Sequence, residues 1–132
     1  MKTKYAEVEK FITRDRSIIR ELMHPNMHGS AEFDLNHRAK NQSLAEATVP
    51  VGTATILHQH MLTEEFYHIT SGQGSMTLGE KLFEVTEGET ICIPPGTPHC
   101  IKNTGSIDLK ILCCCSPAYS HEDTQLLDSE SV

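Results

Sequence analysis

Residues 52–72 read GTATILHQHMLTEEFYHITSG. From Thr53 to His60, and again from Glu65 to Ser71, residues of unlike polarity alternate, which is the period of a strand with one face inside and one outside. In the first run His58 and His60 share a face with Ile56 and Ala54, while Thr55, Leu57 and Gln59 look the other way. Apolar company marks the histidine face as the inner one. The chain turns through Met61 to Glu64 and comes back with Glu65, Tyr67 and Ile69 on one face and Phe66 and His68 on the other, before Gly72 ends the run. Two imidazoles and a carboxylate are thereby carried toward one interior.

The same texture extends to both sides. Short runs fall at Leu44 to Val49, Thr53 to His60, Glu65 to Ser71, Gly74 to Leu78, Lys81 to Val85, Thr90 to Ile93, His99 to Lys102 and Ile107 to Cys115. Turn residues separate them: Pro50-Val51-Gly52, Gly72-Gln73-Gly74, Gly79-Glu80, Glu87-Gly88-Glu89, Pro94-Pro95-Gly96 and Asn103-Thr104-Gly105. Closely spaced short strands with such punctuation indicate an all-β sandwich or barrel over residues 44–115. Met76, Leu78, Ile91 and Ile93 read as its lining. Cys113, Cys114 and Cys115 alternate across the last strand, a poor arrangement for a disulfide or a zinc cage, and read as small buried hydrophobes.

The flanks differ. Ile18, Ile19, Leu22 and Met23 recur at helical spacing, with Thr13 or Asp15 as N-cap and Pro25 beyond, so residues 1–43 are expected to form a short helix and a loop extension. Residues 116–132 are expected to form a short helix, capped by Ser120 with Asp123 three residues on, and an acidic tail. The N-terminal flank leaves too little room for a helix-turn-helix reader before the barrel starts.

A chain of 132 residues fits one domain that buries roughly two thirds of its unfolded surface. Eleven basic against eighteen acidic side chains leave −7, of which the four acids after residue 120 supply −4. That balance argues against nucleic acid or an anionic membrane as partner and for a small molecule or another protein. The start, Met1 to Lys10, alternates charge and has no apolar export segment, and no run approaches a membrane span. A cytoplasmic protein with its five cysteines reduced is expected.

The chemistry gathers around the histidines. An HxH pair on a strand points both rings to one face, where they can share an ion, but a pair in a core or on a surface looks the same. Glu65 adds an anionic oxygen. Pro94-Pro95-Gly96-Thr97-Pro98 is a rigid corner, with Pro95 fixing φ and Gly96 permitting the positive φ of a type II turn, and it aims His99 inward.

Gly52, His58, His60, Glu65 and Gly72 resemble the first motif of the cupin superfamily, and Gly88, Pro94, Gly96, His99 and Asn103 resemble the second at every position. The resemblance implies a cupin double-stranded β-helix, a jelly-roll barrel, holding one divalent metal through His58, His60, Glu65 and His99. Three imidazoles and a carboxylate suit Fe2+, Mn2+, Ni2+, Cu2+, Co2+ or Zn2+, with Fe2+ or Mn2+ favoured. Six-coordination would leave two positions for a bidentate substrate or for substrate and dioxygen.

Of the neighbouring residues, Tyr67 shares Glu65's face and His121 stands beside Tyr119 where the barrel mouth could be lidded; these are the catalytic candidates. Gln59 and Glu64 are expected outside the ligand shell, His68 outside the barrel, Asn103 in its turn, and His24, His28 and His37 at the surface. On the last strand Leu112 and Cys114 share an otherwise polar face, which the N-terminal segment or a second subunit is expected to cover; with the frequency of dimers among small cupins, this points to a homodimer. Three functions follow: a metal-dependent oxygenase of a small organic molecule, ranked first; a sugar or sugar-phosphate isomerase or epimerase of the mannose-6-phosphate isomerase-like type; and a non-catalytic binder or sensor.

Overall fold

The computed structural model describes residues 1–27 and 37–127. Among the described residues, a 3-10 turn at Tyr5–Glu7 is followed by eleven strands: β1 (Lys10–Ile12), β2 (Ile18–Met23), β3 (Ser43–Val49), β4 (His58–His60), β5 (Glu64–Ser71), β6 (Gln73–Leu78), β7 (Lys81–Thr86), β8 (Thr90–Ile93), β9 (His99–Asn103), β10 (Leu109–Ser116) and β11 (Thr124–Leu126). They form a six-stranded sheet, β1-β2-β3-β10-β5-β8, facing a five-stranded sheet, β11-β4-β9-β6-β7. The named strands pair antiparallel throughout. This is the expected jelly-roll barrel.

The period of two decides what lies between the sheets. Val49, Ile69 and Ile111 from one sheet meet Met76, Val85 and Ile101 from the other, all essentially inaccessible to solvent. Each such side chain contributes on the order of 1.5–3 kcal/mol by leaving water. Ile91 and Ile93 lie in the same core, and Leu78 packs against it. Gly72 turns β5 into β6 at φ 87°, and a Cβ there would lie 2.8 Å from the carbonyl oxygen of Asp108. No side chain fits where these backbones cross.

Three expectations need correction. The stretch expected as an N-terminal helix is β2, in which Ile18 and Arg20 face out while Ile19 and Glu21 face the interior. Its apolar spacing serves a strand as well, its two isoleucines are β-branched, and pairing with β3 saturates an otherwise open edge. Thr13 and Asp15 cap no helix; they build the β1–β2 turn. The expected C-terminal helix is a turn followed by β11. Ser120 Oγ does accept the N–H groups of Glu122 and Asp123. The chain then pairs Thr124 and Leu126 with His60 and His58 instead of continuing a helix. Finally, residues 53–60 are not one continuous strand. Ala54 makes an isolated bridge to Lys102 and is exposed, whereas Thr55 is buried and its Oγ1 accepts the Ile101 N–H at 3.0 Å. His28 and the tail beyond residue 127 lie outside the described residues.

Candidate metal centre

Two sheets contribute to one point. β4 presents His58 and His60, β9 presents His99 directly across from His58, and β5 presents Glu65 from the opposite sheet. The corner before β9 has the geometry its residues imply: Gly96 takes φ 73° and donates its N–H to the His60 carbonyl at 2.7 Å. One ligand atom of each histidine lies within 4.8 Å of those of the other two, and all three rings are buried. Glu65 Oε1 lies 3.3 Å from His60 Nε2 and 3.6 Å from His99 Nε2.

The Nδ1 side of each ring is held. His58 Nδ1 lies 2.6 Å from the Ile56 carbonyl and His99 Nδ1 lies 2.9 Å from the Thr97 carbonyl. A carbonyl can only accept, so in both rings Nδ1 carries the hydrogen, and a neutral ring then turns the Nε2 lone pair to the centre. His60 Nδ1 is held by Thr124 Oγ1 at 3.1 Å. Glu65 Oε1 and His99 Nε2 have no hydrogen-bond partner although both are buried. Leaving such atoms unsatisfied costs about 1–3 kcal/mol each, and a cation among them removes that cost. The donor set therefore fits a divalent metal, which the three histidines could hold.

Electrostatics point the same way. Burial pushes the Glu65 carboxyl up, but His60 and His99 beside it push further in the other direction, to about 2, so it is an anion. Burial, then His99, pushes His58 down, toward the neutral ring that a metal needs. Cys115 is raised by burial and then by the charge of Glu65, so it remains a thiol and donates to Glu65 Oε2 at 3.3 Å.

The centre opens into a cavity of about 550 Å3, counting the part open to solvent. Tyr67 lines it, buried, with its ring centroid 6.0 Å from that of His99; burial and then Glu65 raise its phenol well above the ordinary value. His121 is exposed and is not among the lining residues; it touches Tyr119 Oη through Nδ1 at 3.1 Å, and it is Tyr119 that reaches the cavity and His60. Gln59 faces away and bonds Gln125, His68 bonds Thr90 on the outer side, and Asn103 braces its turn through Val49, Ile107 and Gly105. His24, expected at the surface, is buried and bonds the Tyr119 carbonyl at 2.7 Å. Asp15, Glu21, Tyr119 and Thr124 went unrecognised in the sequence as parts of the site. Asp15 and Glu21 sit on a stretch with a competing helical period, and nothing local marks Thr124. Cys113 and Cys115 also line the cavity, on the alternation their strand predicts.

Comparison with known proteins supplies the family. A protein of Methanocaldococcus jannaschii, uncharacterised MJ1618, is 52% identical over 128 residues, which is 97% of this chain and 95% of that one. A mannose-1-phosphate guanylyltransferase of Salmonella muenchen is 30% identical over 92 residues, 70% of this chain but 20% of the enzyme, so the likeness concerns about a fifth of that protein's length. Among solved structures, the nucleoside dehydratase Pac13 of Streptomyces superposes with a TM-score of 0.70 at 16% identity, over 97% of this chain and 91% of that one, a likeness of fold. The cupin domain model matches residues 45–115, more than half of the chain and the whole stretch between the two flanks, and the protein belongs to the cupin family.

Proposed function

We propose that this protein is a divalent-metal enzyme that moves a proton on a small organic molecule carrying no phosphate. One observation carries the reading: His58, His60 and Glu65 line a cavity whose described lining also includes Asp15 and Glu21 and no Lys or Arg. His58, His60, His99 and Glu65 would hold the ion, which when bound acts as a Lewis acid on a substrate oxygen. A phosphorylated substrate would find no Lys or Arg beside the metal to take its phosphate, which disfavours the sugar-phosphate version of the isomerase reading. A neutral hydroxy-carbonyl compound fits, with Tyr67, whose phenol keeps its proton, placed to donate a hydrogen bond. His121 would act only through Tyr119, by fixing its hydroxyl.

An oxygenase using Fe2+ is the second reading, favoured by the apolar part of the wall, Phe11, Ile19, Ala45 and Ala47. The two separate in one experiment. Protein purified without oxygen is assayed for metal by mass spectrometry, then incubated in D2O with aldoses, ketoses, diketones and catechols under nitrogen and under air. Deuterium incorporation under nitrogen is expected. Oxygen uptake with no anaerobic exchange would overturn the proton-transfer reading in favour of the oxygenase, and retention of a ligand with neither would indicate a binder. A homodimer is part of the proposal. Leu44, Cys114 and Phe66 stand in one row across β3, β10 and β5 on the outer face, with Leu44 and Phe66 exposed. Light scattering is expected to give twice the chain mass, and Phe66→Glu to give the monomer.

A further inference from the structure

We propose that Asp15, on the turn between β1 and β2, is a further protein ligand of the metal, so that two carboxylates and three histidines surround it. The inference rests on the metal-binding reading above and goes beyond it, because the four motif residues do not include this one.

The geometry carries it. Asp15 Oδ2 lies 3.5 Å from His58 Nε2, between the 3.3 and 3.6 Å that separate Glu65 Oε1 from His60 and His99. Two atoms bound to one ion at about 2.1 Å and at roughly right-angle to tetrahedral spread lie about 3.0–3.5 Å apart. Asp15 thus stands to His58 as Glu65 stands to the other two rings. It is not a hydrogen bond to a neutral ring, since His58 Nδ1 already carries the hydrogen it gives to Ile56, leaving lone pairs on both facing atoms. With the ring neutral, two acceptors face each other, and a cation between them, a metal ion or a proton on Nε2, satisfies both. The two carboxylates, at −2, also balance one divalent ion.

The turn is built to hold that oxygen. Oδ1 takes three hydrogen bonds, from Thr13 Oγ1 at 2.6 Å, Ser17 N at 3.0 Å and Ser17 Oγ at 2.7 Å, which leaves Oδ2 directed inward. The Asp15 carbonyl accepts the N–H of Ile56 at 2.9 Å, and the carbonyl of that same residue orients His58. Arg14 ties the turn to the C-terminal segment, donating to the carbonyls of His121 at 3.1 Å and Thr124 at 2.8 Å. Arg16 accepts a φ of 73°, a conformation that a residue with a Cβ seldom adopts, to close the loop.

The test counts carboxylates at the metal by infrared difference spectroscopy, Mn2+-loaded minus metal-free, on the whole protein labelled with [13C]aspartate. The wild type is expected to shift one labelled aspartate band and one unlabelled glutamate band. Asp15→Asn is expected to lose the aspartate shift and keep the glutamate one, and Glu65→Gln to do the reverse. Titration calorimetry with Mn2+ should show each variant binding at least about tenfold more weakly. A Mn2+-bound wild type with no labelled aspartate shift overturns the proposal, and does so even if Asp15→Asn fails to fold. An aspartate shift that survives in folded Asp15→Asn overturns it equally. No Mn2+ binding by the wild type would remove the metal-binding reading itself, a result distinct from both.

Discussion

His99 has no accessible surface, one ring nitrogen committed to the Thr97 carbonyl and the other facing Glu65 without a partner. A buried polar atom so placed lacks a partner that a cation would supply, and it makes the ligand set testable residue by residue. His58→Ala and His99→Ala are each expected to abolish metal uptake, measured as metal per chain after purification; unchanged content in both would refute the assignment. Acid acts on the same residues. The Glu65 carboxyl sits at about 2 in the fold against an ordinary 4.5, so its contribution is complete above about pH 4.5 and is lost as pH falls toward 2. His58 is displaced below 6.5, so on acidification the unfolded chain takes up a proton there that the fold resists. Both signs agree. The Tm of the metal-free protein is expected to begin falling below about pH 6.5, through His58, and to fall again from about pH 4.5 toward pH 2, through Glu65; a profile flat over both ranges would contradict these assignments.

At the scale of elements, the site depends on segments outside the motif stretch. The β1–β2 turn leans on the His58 side and β11 pairs with β4, so that Thr124 meets the back of His60. Arg14 joins the two. Its two bonds to carbonyls are partly exposed, so Arg14→Ala is expected to lower stability by about 1–2 kcal/mol in urea denaturation and to weaken metal binding, because both partners of the site loosen together. An unchanged urea midpoint and metal affinity would show the clamp to be idle. The helix expected in the N-terminal flank failed for a specific reason. Four apolar residues over two turns satisfy a period of 3.6 and, with Ile19 and Glu21 inward, a period of two; only an unpaired β3 edge chooses between them.

Across the whole molecule, the two sheets act as jaws whose shared core sets the spacing of the ligands. Ile111 is central to it and pairs with Ala47 and Ile69 on either side. Ile111→Ala is expected to cost about 2–5 kcal/mol, read from the urea midpoint at unchanged slope. Metal should act in the opposite direction, since an ion bound only by the fold adds about 2.7 kcal/mol at a concentration one hundred times its Kd. A rise in Tm with added Mn2+, reversed by chelator, checks this; no rise would mean that the fold does not select the ion.

What the sequence determined by itself is what short-range chemistry specifies. Alternation sends His58 and His60 to one face of their strand and Glu65 to the inner face of its own because the strand period is two, and Pro95 and Gly96 aim His99 because they restrict and permit φ locally. The tertiary structure decided the rest. Asp15 and Thr124 reach the rings only through pairings with strands far along the chain, β2 on β3 and β11 on β4. His121, close to Tyr119 in sequence, stays outside the cavity because its turn faces solvent. Such placements depend on which edges are left to be saturated once the barrel has formed, and no local period records that.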